Sequence, residues 1–152
     1  MFTAVDRRMM REALRLARVA GRAGEVPVGA VVARDGKVVG RGRNRIVGSH
    51  DPSAHAEVLA IREAARRLKN ERLLGCTLYS TLEPCAMCAG AIVLARLDRI
   101  VYGARDPKTG ACGSVFNITG DRRLNHRARI EGGLLARESG VLLKAFFRKR
   151  RH

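Results

Sequence analysis

His55 and Glu57 stand two residues apart, and Cys85 and Cys88 follow about thirty residues later, three apart, behind Pro84. One imidazole and two thiolates are the ligand types that zinc prefers. Catalytic zinc sites take three protein ligands and keep a fourth, tetrahedral position for water. Water on zinc has a pKa near ~7 instead of ~15.7, so hydroxide is available at neutral pH. A carboxylate two residues from a ligand, and not itself a ligand, is placed to carry the proton of that chemistry. Two other readings use the same residues. Cys85 and Cys88 alone have the spacing of a redox pair, and Cys76 or Cys112 would complete a closed structural site of three Cys and one His.

The elements around these residues follow from pattern. Asp51-Pro52-Ser53 is a helix start, with cap candidates on either side of a Pro. This helix is expected to run to about Asn70, burying Ala54, Val58, Ile61, Ala65 and Leu68, with His55 and Glu57 in its first turn. Free backbone N–H groups and partial positive charge gather there. Thr77 to Leu82 is an expected strand. Pro84 fits the first position of a helix from Cys85 to about Leu97. Cys85 and Cys88 then share a face near a helix N-terminus, where the dipole favours thiolate.

Upstream, Met10, Ala13, Leu14, Ala17 and Ala20 recur at helical spacing within Thr3 to about Ala23. Arg7, Arg8, Arg11, Arg15 and Arg18 fall largely off that face, the pattern of a solvated side. Val28 to Arg34 and Lys37 to Arg43 flank Asp35-Gly36, the signal of a type I′ hairpin. Downstream come expected strands at Arg99 to Gly103 and Arg127 to Glu131, separated by a turn-rich loop from Ala104 to Gly113. A last helix is expected over Leu134 to Arg151, with Leu135, Leu142, Ala145 and Phe146 facing the core. This order predicts an α/β fold: a three-layer α/β/α sandwich on a central mixed five-stranded sheet.

The chain has 152 residues, enough for one domain, which is expected to cover residues 1–152. No apolar run approaches the ~20 residues of a membrane span, and the charged N-terminus is unlike a signal peptide. A cytoplasmic location follows as an expectation, with the four Cys reduced. Lys and Arg number 30 against 14 Asp and Glu, a net charge of +16 that favours a polyanionic partner. Trp is absent and aromatics make up 4%, so extended base stacking is excluded as the main binding mode.

His-x-Glu followed by Pro-Cys-x-x-Cys is the signature of zinc-dependent nucleobase deaminases. The chain resembles the cytidine deaminase-like superfamily and, within it, the bacterial tRNA-specific adenosine deaminases. The resemblance runs from about Arg8 to Arg151. It is carried by Val26-Pro27-Val28-Gly29-Ala30, Asn44, Asp51-Pro52, His55-Ala56-Glu57 and Thr81-Leu82-Glu83-Pro84-Cys85 with Met87-Cys88. Gly103-Ala104-Arg105-Asp106, Lys108-Thr109-Gly110, Asn125-His126-Arg127 and Phe146-Phe147-Arg148 add to it. The resemblance implies one zinc per chain on His55, Cys85 and Cys88, with Glu57 as proton shuttle. It implies a homodimer, with the wobble adenosine of a tRNA anticodon stem-loop as substrate, converted to inosine. It also implies that Val28, Asn44 and Ala56 line the base pocket. Asp106, Lys108, Asn125, His126, Phe147 and Arg150 are then expected near the anticodon loop, although Asp106 alone reads equally as a turn cap. Cys112 stands where the pattern calls for a small residue.

Two rival functions use the same residues. A deaminase of free cytosine, guanine or a nucleotide has the same zinc site but no use for the positive charge. A zinc-stabilised RNA-binding domain without catalysis has no use for an open ligand position.

Overall fold

The computed structural model describes residues 1–150. In chain order the elements are α1 (Ala4–Arg22), β1 (Gly29–Arg34), β2 (Lys37–Arg43), α2 (Ala56–Leu68), β3 (Thr77–Leu82), α3 (Ala86–Ala95), β4 (Arg99–Ala104), β5 (Arg129–Gly132) and α4 (Ala136–Arg150). The five strands form one sheet in the order β2-β1-β3-β4-β5. β1 is antiparallel to both its neighbours, while β3, β4 and β5 run parallel. The sheet is therefore mixed, as expected. Asp35 and Gly36 both adopt positive φ, 52° and 73°, as a type I′ turn requires.

Period-two alternation along the strands builds two cores. Val31, Tyr79 and Val101 face α1 and α4, where they meet Met9, Met10 and Leu14. Ala30, Val32, Leu78 and Ile100 face α2 and α3, where they meet Ile61 and Ile92. Helices thus cover both faces, completing the three layers. All five apolar residues expected on α1 are buried. Thr3 and Asp6 exchange hydrogen bonds in a capping box that starts the helix.

The ends of the helices differ from the sequence expectation. α2 begins at Ala56, not at Ser53, because Asp51 Oδ1 accepts from the Ser53 N–H and hydroxyl in an Asx turn that keeps the chain out of the helix. Its buried stripe is accordingly Ala56, Glu57, Ala60, Ile61 and Ala64, and Val58, Ala65 and Leu68 are only partly covered. Pro84 precedes the cap of α3 instead of opening the helix. In α4 only Ser139 is fully buried, and Ala145 is exposed, because only the first half of the helix lies against the sheet and α1. The expected last residue of that helix, Arg151, lies outside the described residues.

Two glycines decide where α2 sits. A Cβ on Gly40 or Gly42 would lie 2.3 Å from the Ala60 carbonyl oxygen or 2.1 Å from that of Ala56. Any larger residue in these β2 positions would push the helix off the sheet. The N-terminus of α2 is thereby held against the end of β2. β2, β3 and β4 all point the same way, and their C-terminal ends lie together. Ligand sites of open α/β sheets form beyond such ends.

Charge is buried once on the far side of the sheet. Asp6, 2% exposed, accepts both terminal nitrogens of Arg99 at 2.8 and 2.9 Å and the Tyr79 hydroxyl at 2.8 Å. Arg99 also donates to Glu131 at 2.6 Å. This cluster ties α1 to β3, β4 and β5.

Candidate active site

His55 and Cys85 occupy equivalent positions, the N-caps of α2 and α3. An N-cap side chain normally accepts from the first-turn N–H groups. Neither residue does so here, and both side chains turn toward each other. For α2 the missing cap is supplied from across the fold. Asn44 Oδ1 accepts the Ala56 N–H at 2.9 Å, while Asn44 Nδ2 donates to the Val26 carbonyl at 3.1 Å. Asn44 is thus buried next to His55, with its amide engaged at both ends.

The Nδ1 atom of His55 lies 3.6 Å from the sulfur of Cys85 and 3.6 Å from that of Cys88. Zinc bonds of ~2.3 Å to sulfur and ~2.05 Å to nitrogen, at a tetrahedral angle, separate N and S by about 3.6 Å. The three donors therefore fit one tetrahedral ion. Among the described residues this is the one group of His, Cys, Asp and Glu whose ligand atoms all lie within 4.8 Å of one another. Cys76 is buried in the apolar core and Cys112 in the loop beyond β4, so neither completes the set. Burial pushes the Cys112 thiol up to about 12. The closed structural site is excluded for these residues.

The electrostatics suit a cation. The Cys88 thiol hydrogen-bonds Cys85, and with His55 beside it Cys85 is held at about 4, as thiolate. Cys88 is pushed up because a second thiolate would face the first. The hydrogen bond to Cys85 also raises His55. Glu57, 4% exposed, sits one residue into α2, and burial pushes its carboxyl up to about 7.

The other expected residues surround this centre unevenly. Val28 and Ala56 are buried together in the apolar cluster beneath it. Asp106 caps its own turn, accepting from the Lys108 and Thr109 N–H groups and from the Thr109 hydroxyl. Lys108 is exposed. Asn125 presents an exposed side chain, and His126 Nε2 donates to the Leu97 carbonyl at 2.7 Å. Arg150 donates to the Gly24 carbonyl at 2.6 Å and stacks 4.8 Å over the Phe146 ring. It docks the end of α4 onto the segment leading to Val26. Phe147 is half exposed beside Phe146, with ring centroids 5.5 Å apart.

Two buried carboxylates were not expected to matter. Glu83, named above only within the motif that carries the resemblance, accepts the N–H groups of Asp106, Cys112 and Ser114 at 3.0–3.1 Å and the Ser114 hydroxyl. It fixes the loop beyond β4 against the strand end that delivers Cys85. Burial opposes its charge, but these four donors outweigh it and lower its pKa. Glu25 accepts the N–H groups of Val47 and Gly48 at 3.1 and 2.8 Å, and so fixes the loop after Asn44. The signal in each case was an acidic residue among apolar neighbours at a strand boundary.

Comparison with known proteins agrees with this geometry. The profile of the MafB19-like deaminases matches residues 5–151. A tRNA-specific adenosine deaminase of Haemophilus influenzae is 50% identical over 147 residues, 96% of this chain and 85% of that one. A solved structure from work on A-to-I editing by tRNA:A34 deaminases at the wobble position of transfer RNA superposes with a TM-score of 0.87. It is 46% identical over 90% of this chain and 99% of that one. A guanine deaminase from Nitrosomonas europaea has a TM-score of 0.80 at 27% identity, over 92% of this chain and 83% of that one.

Proposed function

The chain belongs to the tRNA-specific adenosine deaminases within the MafB19-like deaminases, and on that premise we propose that it converts the wobble adenosine of a tRNA anticodon to inosine. The observation that carries the hydrolytic reading is the trio His55, Cys85 and Cys88 at tetrahedral spacing beside the buried carboxyl of Glu57. Zinc on those three ligands would supply the acidity that makes water a nucleophile at neutral pH.

Each residue has a distinct part. Glu57 takes one water proton and delivers it to the purine ring nitrogen as the water oxygen bonds C6; it then takes the second proton from that oxygen and passes it to the amine, which leaves as ammonia as the C6 carbonyl forms. Val28, Ala56 and the Asn44 that caps α2 form the floor on which the base lies. The base has to leave its stack, which costs least in a loop. Asp106, Lys108, Asn125, His126, Phe147 and Arg150 hold the flanking nucleotides. Lys108 and Phe147 are free to do so through their side chains. Arg150 and Asp106 act by shaping the rim.

The functional unit is a single domain acting as a homodimer in the cytoplasm. No helix among the described residues is long and apolar enough to cross a membrane. The dimer reading rests on α3. A helix apolar all round is normally buried on all sides. Met87 and Leu94 instead stand exposed on one side of it, Leu94 at 79%, with Gly90 and Ala91 only partly covered between them. A second copy is the occupant this reading assigns, and a monomer by sedimentation at micromolar concentration would overturn it.

The test of function is incubation with a synthetic anticodon stem-loop, followed by detection of inosine. Conversion is expected, with free adenosine, cytidine and guanine slower by several orders of magnitude, because contacts remote from the pocket hold the base in place. Comparable turnover of free guanine would replace this reading by that of a free-base deaminase, the activity of the Nitrosomonas relative.

A further inference from the structure

The anticodon-loop reading uses only part of the positive charge. Arg8, Arg11, Arg15, Arg18 and Arg22 alternate three and four apart along α1 and are all exposed. That spacing keeps them on one face of the helix. Arg7/Arg11, Arg11/Arg15 and Arg18/Arg22 are like-charge pairs four apart, which weaken a helix. Neither acidic side chain of α1 relieves the repulsion along its full length. Asp6 is buried and engaged by Arg99. Glu12 is shared between Arg15 at 2.6 Å and Arg41 of β2 at 2.8 Å.

The stripe connects two places. At its C-terminal end Arg22 leads into Gly24 and Val26, whose carbonyls accept Arg150 and Asn44 at the rim of the candidate active site. At the other end Arg8 donates to the Gly36 carbonyl in the hairpin turn. There α1 and β2 enclose a groove of about 700 Å³ lined by Arg8, Arg11, Arg15, Lys37, Arg41 and Arg67, with Glu12 as its one acid. From Arg8 to Arg22 the helix rises about 21 Å at ~1.5 Å per residue, long enough to follow several successive phosphates.

We propose that this stripe and groove are a second tRNA-binding surface, which holds the phosphates of the tRNA body outside the anticodon loop. This rests on the reading of the chain as a tRNA deaminase. Charge complementarity selects a polyanion. A lipid surface is disfavoured because the apolar face of α1 is buried against the sheet, whereas membrane-surface helices present theirs to the lipid. The stripe therefore contributes to affinity for whole tRNA and nothing to the chemistry on an isolated stem-loop.

The test compares the wild-type protein with the triple variant Arg8→Gln, Arg11→Gln, Arg18→Gln. Gln matches Arg in helix propensity, so α1 is kept. Binding of full-length tRNA and of its isolated anticodon stem-loop is measured against salt, together with inosine formation on the stem-loop. The expected result is at least ~10-fold weaker binding of full-length tRNA. The log–log salt slope should be shallower by about 2–3, at ~0.9 per duplex phosphate released. Stem-loop binding and turnover should stay within about twofold of wild type. An unchanged slope on full-length tRNA, or equal losses on both RNAs, would overturn the proposal. If the triple variant melts early, the single reversal Arg18→Glu is used, with the slope on full-length tRNA then expected to be shallower by about 1 and the stem-loop again unaffected. Wild-type protein that binds full-length tRNA but forms no inosine counts against the deaminase reading alone, since the slope comparison needs no turnover.

Discussion

Two buried groups of charge lie on opposite sides of the sheet and are finished differently. On the α1 side, Asp6 meets the two-pronged guanidinium of Arg99 and the Tyr79 hydroxyl, and Glu131 takes what remains of Arg99. Its carboxyl is held well below the ordinary carboxylate range by Arg99. On the α2 side, Cys85, Cys88 and His55 converge with no Lys or Arg among them, and the carboxyl of Glu57 is pushed up to about 7 by burial. The first group is complete within the chain and serves the fold. The second is left open, at a spacing compatible with a metal ion. Perturbed carboxyls occur in both, so the shift alone does not mark function. What separates the groups is whether the compensating charge is built in.

The sharpest way to break this contrast is to remove a ligand. Elemental analysis of the wild-type protein is expected to give ~1 equivalent of metal, and Cys88→Ser should lose it together with all measurable turnover and several degrees of melting temperature, because metal binding contributes folding energy. Full metal retention would remove the assignment. Glu57→Ala is expected to keep metal and fold while turnover falls ~10²–10⁴-fold in a single-turnover assay. A variant that purifies without metal would make Glu57 structural.

The closed cluster should respond in stability, not chemistry. Arg99→Ala leaves a buried carboxylate unpaired and should cost about 3–5 kcal/mol by urea titration. Turnover at a permissive temperature should persist. Because Asp6 has its pKa lowered by folding, its contribution is complete above an unfolded value near ~3.9 and is lost as pH falls below it. In Arg99→Ala that acid-side loss should shrink, since the carboxyl then titrates closer to its unfolded value. The smallest effect is expected at the rim. Lys108→Ala should slow stem-loop turnover severalfold and leave metal content untouched, and equal slowing on free adenosine would argue against an RNA contact.

Legibility followed the range of the interactions. The hairpin at Asp35-Gly36 and the buried face of α1 were readable because each depends on neighbours within a few residues. The meeting of His55, Cys85 and Cys88 was readable because these types have few other uses in combination. The start of α2 was not, because Pro52 and Ser53 look like a helix entry until the Asx turn at Asp51 and the close approach of Gly42 are known. The part played by Glu83 was hidden for a similar reason, since its donors lie 23 to 31 residues downstream.

By itself the sequence determined which His and Cys residues could act together as donors and the layered α/β fold, both of which rest on residue type and local period. Tertiary structure alone decided that three donors and not four meet at tetrahedral spacing, with Cys76 and Cys112 left elsewhere. It also decided that Asn44 caps α2 in place of His55, leaving the imidazole free to ligate. Both depend on strand ends that become neighbours only when the sheet forms, and no local pattern encodes which buried groups will then face one another.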